Sequence, residues 1–430
     1  ARATYGSYDQ ADGVITASAP IGSGVIRVGG SVARLSRGGF GTNLTTGQEN
    51  YNKDVWAARG TVEVHATDFF ARISGDYTKD NSLPRGGHRL IPAQQSVAPV
   101  LADVYDTRGA LQTPKQEVKA WGVSLFMEGE PADWLTLRSI SSYRKDDSTS
   151  PIDFDALPSA DLDVPGIYRN DQFSQEMQAL FSSDRINGLV GIYYLHANAL
   201  TQFESRLYTT APGFAAYTNA DVTTDTFAAF ADFTVDVTDK LKLSIGGRYT
   251  YDQRSAYILR QNYIGGGSAV FGSTEVLFGA AQTNFRGQSE FRKFTPKIAV
   301  NYQPNPDSNI YASFSQGFKG GGFDPRGVGI NAVDLDNDGV KSQAEISQFL
   351  SFRPETVDSY EVGYKADLFD RRVYLAVAAF YMDYTDVQIP GSVACNAGGV
   401  ATFCGVVSNA GKARMKGFEF ETRAKLIQTD

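Results

Sequence analysis

The chain has 430 residues, with 48 acidic against 40 basic side chains and a formal net charge of −8. That balance excludes nucleic acid as a general partner, because binding to a phosphate backbone needs a basic field. No run of eighteen apolar residues occurs, so no transmembrane helix is expected; at a mean hydropathy of −0.26 a membrane β-barrel stays open, because alternation hides its apolar band from averages.

A soluble chain of this length is expected to split into domains, yet no Pro/Ser-rich or single-charge run marks a boundary. The 43 glycines and 12% aromatic content suit many strands and turns in one large sheet. The start, Ala1-Arg-Ala-Thr-Tyr-Gly6, lacks the apolar core of a signal peptide. The end, Gln428-Thr-Asp430, directly follows a strand-like run, so a fragment of a longer protein is expected.

In chain order, Thr61, Glu63 and His65 alternate with Val62, Val64 and Ala66, and Arg72, Ser74 and Asp76 with Ala71, Ile73, Gly75 and Tyr77. Phe227, Ala229, Ala231, Phe233 and Val235 alternate with Asp232, Thr234 and Asp236. In the clearest run, Leu241, Leu243, Ile245, Tyr249 and Tyr251 alternate with Lys242, Ser244, Arg248 and Thr250. Further runs cover 309–318 and 358–368. Between 371 and 388, Asp383 falls on the face begun by Val373, Leu375 and Val377, which predicts a bulge. Near the end, Phe418, Phe420, Thr422, Ala424 and Leu426 alternate with Glu419, Glu421, Arg423 and Lys425. Period two is the signature of strands with unlike faces, one for lipid and one for a wet lumen.

About sixteen such runs are expected, most near the roughly nine to eleven residues of a tilted barrel strand. Their connections alternate in length. Short ones lie at Ile21–Gly24, Ala66–Asp68, Gly129–Asp133, Ser183–Asn187, Thr238–Lys240, Gln303–Asp307 and Phe369–Arg371. Long ones cover roughly 35–53, 79–115, 146–171, 206–223, 253–290, 319–354 and 389–411. Short turns at one end and long loops at the other are what an outer-membrane barrel shows. Trp56 and Trp134 fall near strand ends, where aromatic girdles sit.

The two cysteines, Cys395 and Cys404, share a Gly-rich stretch, which predicts a local disulfide in an oxidising compartment. Asp334-Leu-Asp-Asn-Asp-Gly-Val-Lys-Ser-Gln-Ala-Glu345 fills the pattern of a calcium-binding EF-hand loop. Such a loop takes oxygens at positions 1, 3 and 5, a backbone carbonyl at 7, a water-bridged group at 9 and a carboxylate at 12. These are Asp334, Asp336, Asp338, Val340, Ser342 and Glu345, with Gly339 supplying the sharp turn. Lys341 departs from the apolar residue usual there, no entering helix is evident, and Ile346, Phe349 and Leu350 suit one exiting turn. Residues 334–345 are therefore expected to hold Ca2+ as an insert in an outer loop, without a paired domain.

Asp146, Asp147, Asp153, Asp155, Asp161 and Asp163 crowd another long connection and read as a hydrophilic surface; His65, His88 and His196 are scattered and read as non-ligands. Tyr208, Phe214 and Tyr217 read as loop packing. No nucleophile–base set, phosphate loop or catalytic metal motif is present, so an enzyme is not expected.

Several stretches resemble the TonB-dependent outer-membrane receptors: Tyr5–Gln10, Gly39–Gly47 with Ala57–Arg59, Thr295–Tyr302, Gly317–Phe323, Arg353–Lys365 and Asn409–Glu419. They run in the family's order over nearly the whole chain. The resemblance implies an all-β fold over 1–430: a transmembrane antiparallel β-barrel, here about sixteen strands of about 22 with a plugged lumen. It implies uptake of a scarce nutrient (iron-siderophore, haem, cobalamin or glycan) across the Gram-negative cell outer membrane. The expected partners are outer-membrane lipid and lipopolysaccharide, a small-molecule nutrient, and TonB acting through an N-terminal plug. The plug, the TonB box and the last strands are not among these residues, so either this chain is part of a longer protein or the missing pieces are separate. The alternative is a non-transporting outer-membrane barrel for binding, adhesion or assembly.

Overall fold

Alternation of side chains decides this sheet. The computed structural model describes residues 1–93, 98–397 and 400–425. A 17-stranded sheet takes up most of them; one member is the two-residue Val276–Leu277, and the other sixteen follow one another as an antiparallel meander. In chain order these are β1 Arg2–Gly6, β2 Gln10–Ile21, β3 Ile26–Arg37, β4 Lys53–His65, β5 Phe69–Asp80, β6 Glu117–Ala132, β7 Leu135–Asp153 and β8 Asp163–Ser182. They continue as β9 Ile186–Arg206, β10 Ala215–Thr238, β11 Leu241–Ile264, β12 Thr283–Asn305, β13 Ser308–Lys319, β14 Glu355–Leu368, β15 Val373–Thr385 and β16 Lys412–Ala424. Each pairs with its sequence neighbours; among the described residues β1 pairs only with β2 and β16 only with β15. Leu426 lies outside the described residues.

The registers carry one apolar face through fifteen strands. Ile15 opposes Val32, Val32 opposes Ala58 and Ala58 opposes Tyr77. Further along, Phe233 opposes Ile245, Ile245 opposes Ile298, Ile298 opposes Phe314, and Phe420 opposes Val377. This face is exposed: Ile15 is 66%, Ile245 54% and Phe420 64% accessible. An apolar band open to its surroundings on one side of a meander suits lipid rather than water. No bulge breaks β15, whose register with β14 runs unshifted from Val373 to Thr385. Asp383 shares the apolar parity, yet it sits near the end that carries the long loops and pairs with Arg414 at 3.5 Å.

The connections alternate as expected, with all long ones at one end. The exception is the turn 7–9, at that same end, where Tyr8 and Asp9 take φ of 60° and 53°. The strands run longer than expected, to 24 residues in β10 and β11. The connections expected at 146–171, 206–223 and 253–290 shrink to 154–162, 207–214 and 265–282. Beyond the apolar band both faces of a strand meet water or neighbouring loops, so the apolar–polar contrast fades while the hydrogen-bonded ladder goes on.

This upper layer holds most of the core. Ala220, Ala256, Ile258, Phe285, Phe323, Ala332, Ile346 and Leu350 form a buried cluster in it, and Leu207, Phe214 and Ala216 a second. The β12–β13 ladder ends at Lys297 opposite Ser315. The next residue on β12 is Pro296, which has no N–H to offer. Above it β12 pairs with β11 alone, and the long 320–354 connection covers part of the freed edge.

Candidate functional site

The face opposite the lipid band is polar and internally paired. Lys242 meets Asp236 at 3.2 Å, Lys297 meets Asp232 at 2.8 Å, and Arg138 meets Glu128 at 2.6 Å. Arg248 lies 5.1 Å above Tyr193 and 5.4 Å from Phe230, and Arg423 pairs with Glu421 at 2.6 Å. Glu419 shares this parity with Glu421. These pairs set opposite charges side by side along a hydrophilic wall.

At its long-loop end that wall carries an aromatic patch. Phe40 stacks on Tyr51 at 4.8 Å, with Tyr105 edge-on at 5.2 Å and Tyr8 at 5.6 Å. The Arg37 guanidinium lies 5.1 Å from the Phe40 ring and donates to the Tyr51 carbonyl. Tyr8 and Tyr105 stay at least half exposed. Ring faces and a guanidinium together can hold a planar or anionic small molecule.

The loop 334–345 forms a tight acidic turn. Asp334, Asp336 and Asp338 bring one oxygen each within 4.8 Å of one another. Asp334 Oδ2 accepts from the Gly339 N–H at 3.0 Å, Lys341 stands 3.6 Å away, and Asp334 Oδ1 is enclosed without a partner. Burial opposes ionisation here, yet the Gly339 N–H and Lys341 hold Asp334 below its ordinary pKa. Glu345 stands apart from the trio. Its carboxylate accepts from the Leu335 N–H and, at 2.8 and 2.9 Å, from the Ser342 N–H and hydroxyl. The Ser342 hydroxyl in turn accepts from the Glu345 N–H at 3.3 Å, closing a capping box. These donors, Leu335 first, hold Glu345 below its ordinary pKa. The exiting helix α1, Gln343–Leu350, runs eight residues, longer than the single turn expected. Its Ile346 and Leu350 join the buried cluster with Ile258 and Phe285.

A second carboxylate group, read from sequence as plain surface, gathers around the β7–β8 loop. Asp153, Asp155 and Asp163 bring one oxygen each within 4.8 Å of one another. Burial, reinforced by the Asp155 charge, pushes Asp153 up to about 6; burial with the charges of Asp153 and Asp155 pushes Asp163 up to about 8. Burial raises Asp155 as well. The histidines stay scattered: His65 meets Glu63 at 3.0 Å, His196 meets Asp225 at 2.8 Å, and His88 meets the Asp106 carbonyl. Phe214 and Tyr217 are buried, as loop packing requires. The Cys395 and Cys404 sulfurs lie at bonding distance across the hairpin of Gln388–Ala397 and Val400–Asn409, with Cα atoms 5.8 Å apart.

Residues 22–427 match the family model described as TonB dependent receptor-like, beta-barrel. The chain belongs to that family. The TonB-dependent receptors are transport receptors of the Gram-negative outer membrane, and this receptor barrel is an outer-membrane wall. Over 142 residues the chain is 30% identical to the metal-pseudopaline receptor CntO of Pseudomonas aeruginosa, covering 33% of this chain and 16% of that one. Over 274 residues it is 25% identical to the pesticin receptor of Yersinia enterocolitica, covering 62% and 33%. The crystal structure of the ferric yersiniabactin uptake receptor FyuA from Yersinia pestis superposes with a TM-score of 0.72 at 18% identity, covering 98% of this chain and 57% of that one. The pyoverdine receptor FpvA of Pseudomonas aeruginosa gives 0.64 at 14%, covering 99% and 58%. At such identities the two superpositions speak to fold. The receptor barrel thus spans a third or less of the length of those curated relatives, and somewhat over half of each superposed chain.

Proposed function

We propose that this chain is the barrel portion of a receptor that captures a small metal chelate of the siderophore class at its outer mouth and takes it up with energy from TonB. The half-exposed aromatic–guanidinium patch of Tyr8, Phe40, Tyr105 and Arg37 carries the reading. It sits at the outer end of the polar wall, where a planar, anionic chelate would meet it first. The names of the metal-pseudopaline and pesticin receptors support the outer-membrane receptor class. On this reading the chain is no enzyme. TonB acts through a plug domain, and lipopolysaccharide packs against the exposed apolar band.

We also propose that Ca2+ sits in the 334–345 loop on Asp334, Asp336, Asp338, the Val340 carbonyl, Ser342 and Glu345. The enclosed, unpartnered Asp334 Oδ1 supports it. Glu345 can serve the ion through Oε1 while capping α1: among the described residues Oε1 accepts only from the Leu335 N–H and keeps a lone pair, whereas Oε2 already accepts twice from Ser342.

The test is binding and uptake of a panel of ferric chelates by cells expressing the full-length receptor, with and without TonB. TonB-dependent accumulation of one chelate, weakened by Arg37→Ala with Tyr105→Ala, is expected. Uptake of none of them, or uptake indifferent to TonB, would overturn the reading in favour of a binding or adhesion barrel.

A further inference from the structure

We propose that Asp153, Asp155 and Asp163 form a second site for a hard divalent cation, Ca2+ by preference, which ties the β7–β8 loop to the neighbouring 83–111 connection. The proposal is independent of what the receptor transports.

The register creates the problem that the cation solves. Asp153 and Asp163 stand directly opposite each other in the last pair of the β7–β8 ladder. Like charges facing across a ladder repel. Asp155, two residues into the loop, folds back to join them. Two of the three lie away from water, Asp155 6% and Asp163 5% exposed, while Asp153 is half-buried.

Two of the three carboxylates are held in place by backbone. Asp153 Oδ1 accepts from the Ala156 N–H at 2.8 Å, and Oδ2 from the Leu111 N–H at 3.5 Å. Asp155 Oδ1 accepts from Leu157 at 2.7 Å and Oδ2 from Leu162 at 2.6 Å. Asp163 differs. Among the described residues its carboxylate accepts no hydrogen bond and forms no ion pair, and its Oδ1 is enclosed without a partner. Arg206 acts on Asp163 in the favourable direction, but the ion pair it forms is with Glu204, Nε to Oε1 at 2.8 Å. Buried polar atoms are nearly always served, and an unpaired buried carboxylate is costly. An unserved one set against two others fits a positive ion between them.

The donors choose the ion. The group is all oxygen, with no His or Cys, which selects a hard cation. The strand end and loop supply an irregular set rather than an octahedron, and Ca2+ tolerates that better than Mg2+. A cavity of about 30 Å³ adjoins Asp153, with Asn43, Asn50, Thr107 and Gly109 in its wall, room for about one water ligand. Asp163 lies 18 positions along β8 from Phe181 near the short-turn end. At roughly 3.3 Å per residue and a tilt near 45° that places it above a hydrocarbon core of about 30 Å.

The ion would join two outer connections. The 83–111 segment already reaches the group through the Leu111 N–H on Asp153 and through Arg89, which donates to the Asp155 carbonyl at 2.9 Å. Gly109 packs so close that a Cβ there would lie 2.0 Å from Asp153 Oδ2.

The experiment uses the full-length receptor in detergent and radioactive Ca2+ in flow dialysis. A triple variant Asp334→Asn, Asp336→Asn and Asp338→Asn silences the other acidic loop. In that background Ca2+ binding should remain, and adding Asp163→Asn should weaken it roughly tenfold or more. Gel mobility with and without heating shows that each variant is folded. Hydrogen exchange of wild-type segment 83–111 should slow when Ca2+ is added. Binding lost in the triple variant, binding untouched by Asp163→Asn, exchange of 83–111 indifferent to Ca2+, or tighter binding of Mg2+ than of Ca2+ would each overturn the proposal as stated.

Discussion

Gln343 meets the backbone of Arg286 as a neighbouring strand would. Its Oε1 accepts from the Arg286 N–H at 2.8 Å, while its Nε2 donates to the Asn284 carbonyl at 2.9 Å. One side chain thus serves the freed edge of β12 above Pro296, and Ile346 and Leu350 press the same helix onto Phe285. Gln343→Leu should cost the 320–354 connection roughly 0.5–1.5 kcal/mol, the usual net worth of a hydrogen bond whose groups water can reach. Hydrogen exchange is the measurement: faster exchange at Arg286 and in α1, with β11 and β14 unchanged. Unchanged protection at Arg286 would show that the contact contributes nothing.

Adjacent residues of β12 report which face meets lipid. Ile298 belongs to the apolar band, and Ala299 faces the wall that holds the Lys297 and Asp232 ion pair. Ile298→Arg should destabilise the barrel by roughly 2–4 kcal/mol, the cost of a guanidinium near the bilayer midplane. Ala299→Arg should cost much less. Denaturant unfolding in liposomes compares them, and equal losses would mean that the faces are assigned the wrong way round.

Cys395 and Cys404 close a loop with a sequence separation of nine. A short loop of this size predicts about 2–3 kcal/mol of constraint on the chain-entropy account. Because the hairpin forms its own two-stranded sheet, the effect should stay local. Mass spectrometry of unreduced peptides should find the bridge, and Cys395→Ser with Cys404→Ser should speed exchange in 388–397 while leaving β15 and β16 as they were. Free thiols in the native protein would remove the premise.

Two substitutions in the acidic loop separate metal binding from helix capping. Asp336→Asn touches no cap and should act only through Ca2+, abolishing any protection of 334–350 that millimolar Ca2+ confers. Ser342→Ala should loosen α1 even in chelator, by about 0.5–2 kcal/mol, because it removes the side-chain cap that accepts from the Glu345 N–H. Calcium-independent exchange in wild type and in Asp336→Asn alike would leave the loop a capped turn without metal.

Much of this barrel is legible in the chain because side-chain alternation is a local property of extended backbone and needs no partner to be read. Ile245 against Lys242 and Phe420 against Glu419 already separate lipid from lumen. Turn and loop lengths order the strands, and the acidic loop and the cysteine pair declare themselves by spacing. Only the tertiary structure decided how far the strands climb above the membrane, since ladder pairing, not alternation, sustains β10 and β11 there. It alone brought Tyr8, Phe40 and Tyr105 together from three separate connections. The meeting of Asp153 with Asp163 was hidden for the same reason. It rests on the exact register of β7 against β8, and a slip of one residue would send a side chain to the other face. No count of acidic residues along the chain contains that register; the hydrogen bonds between strands set it.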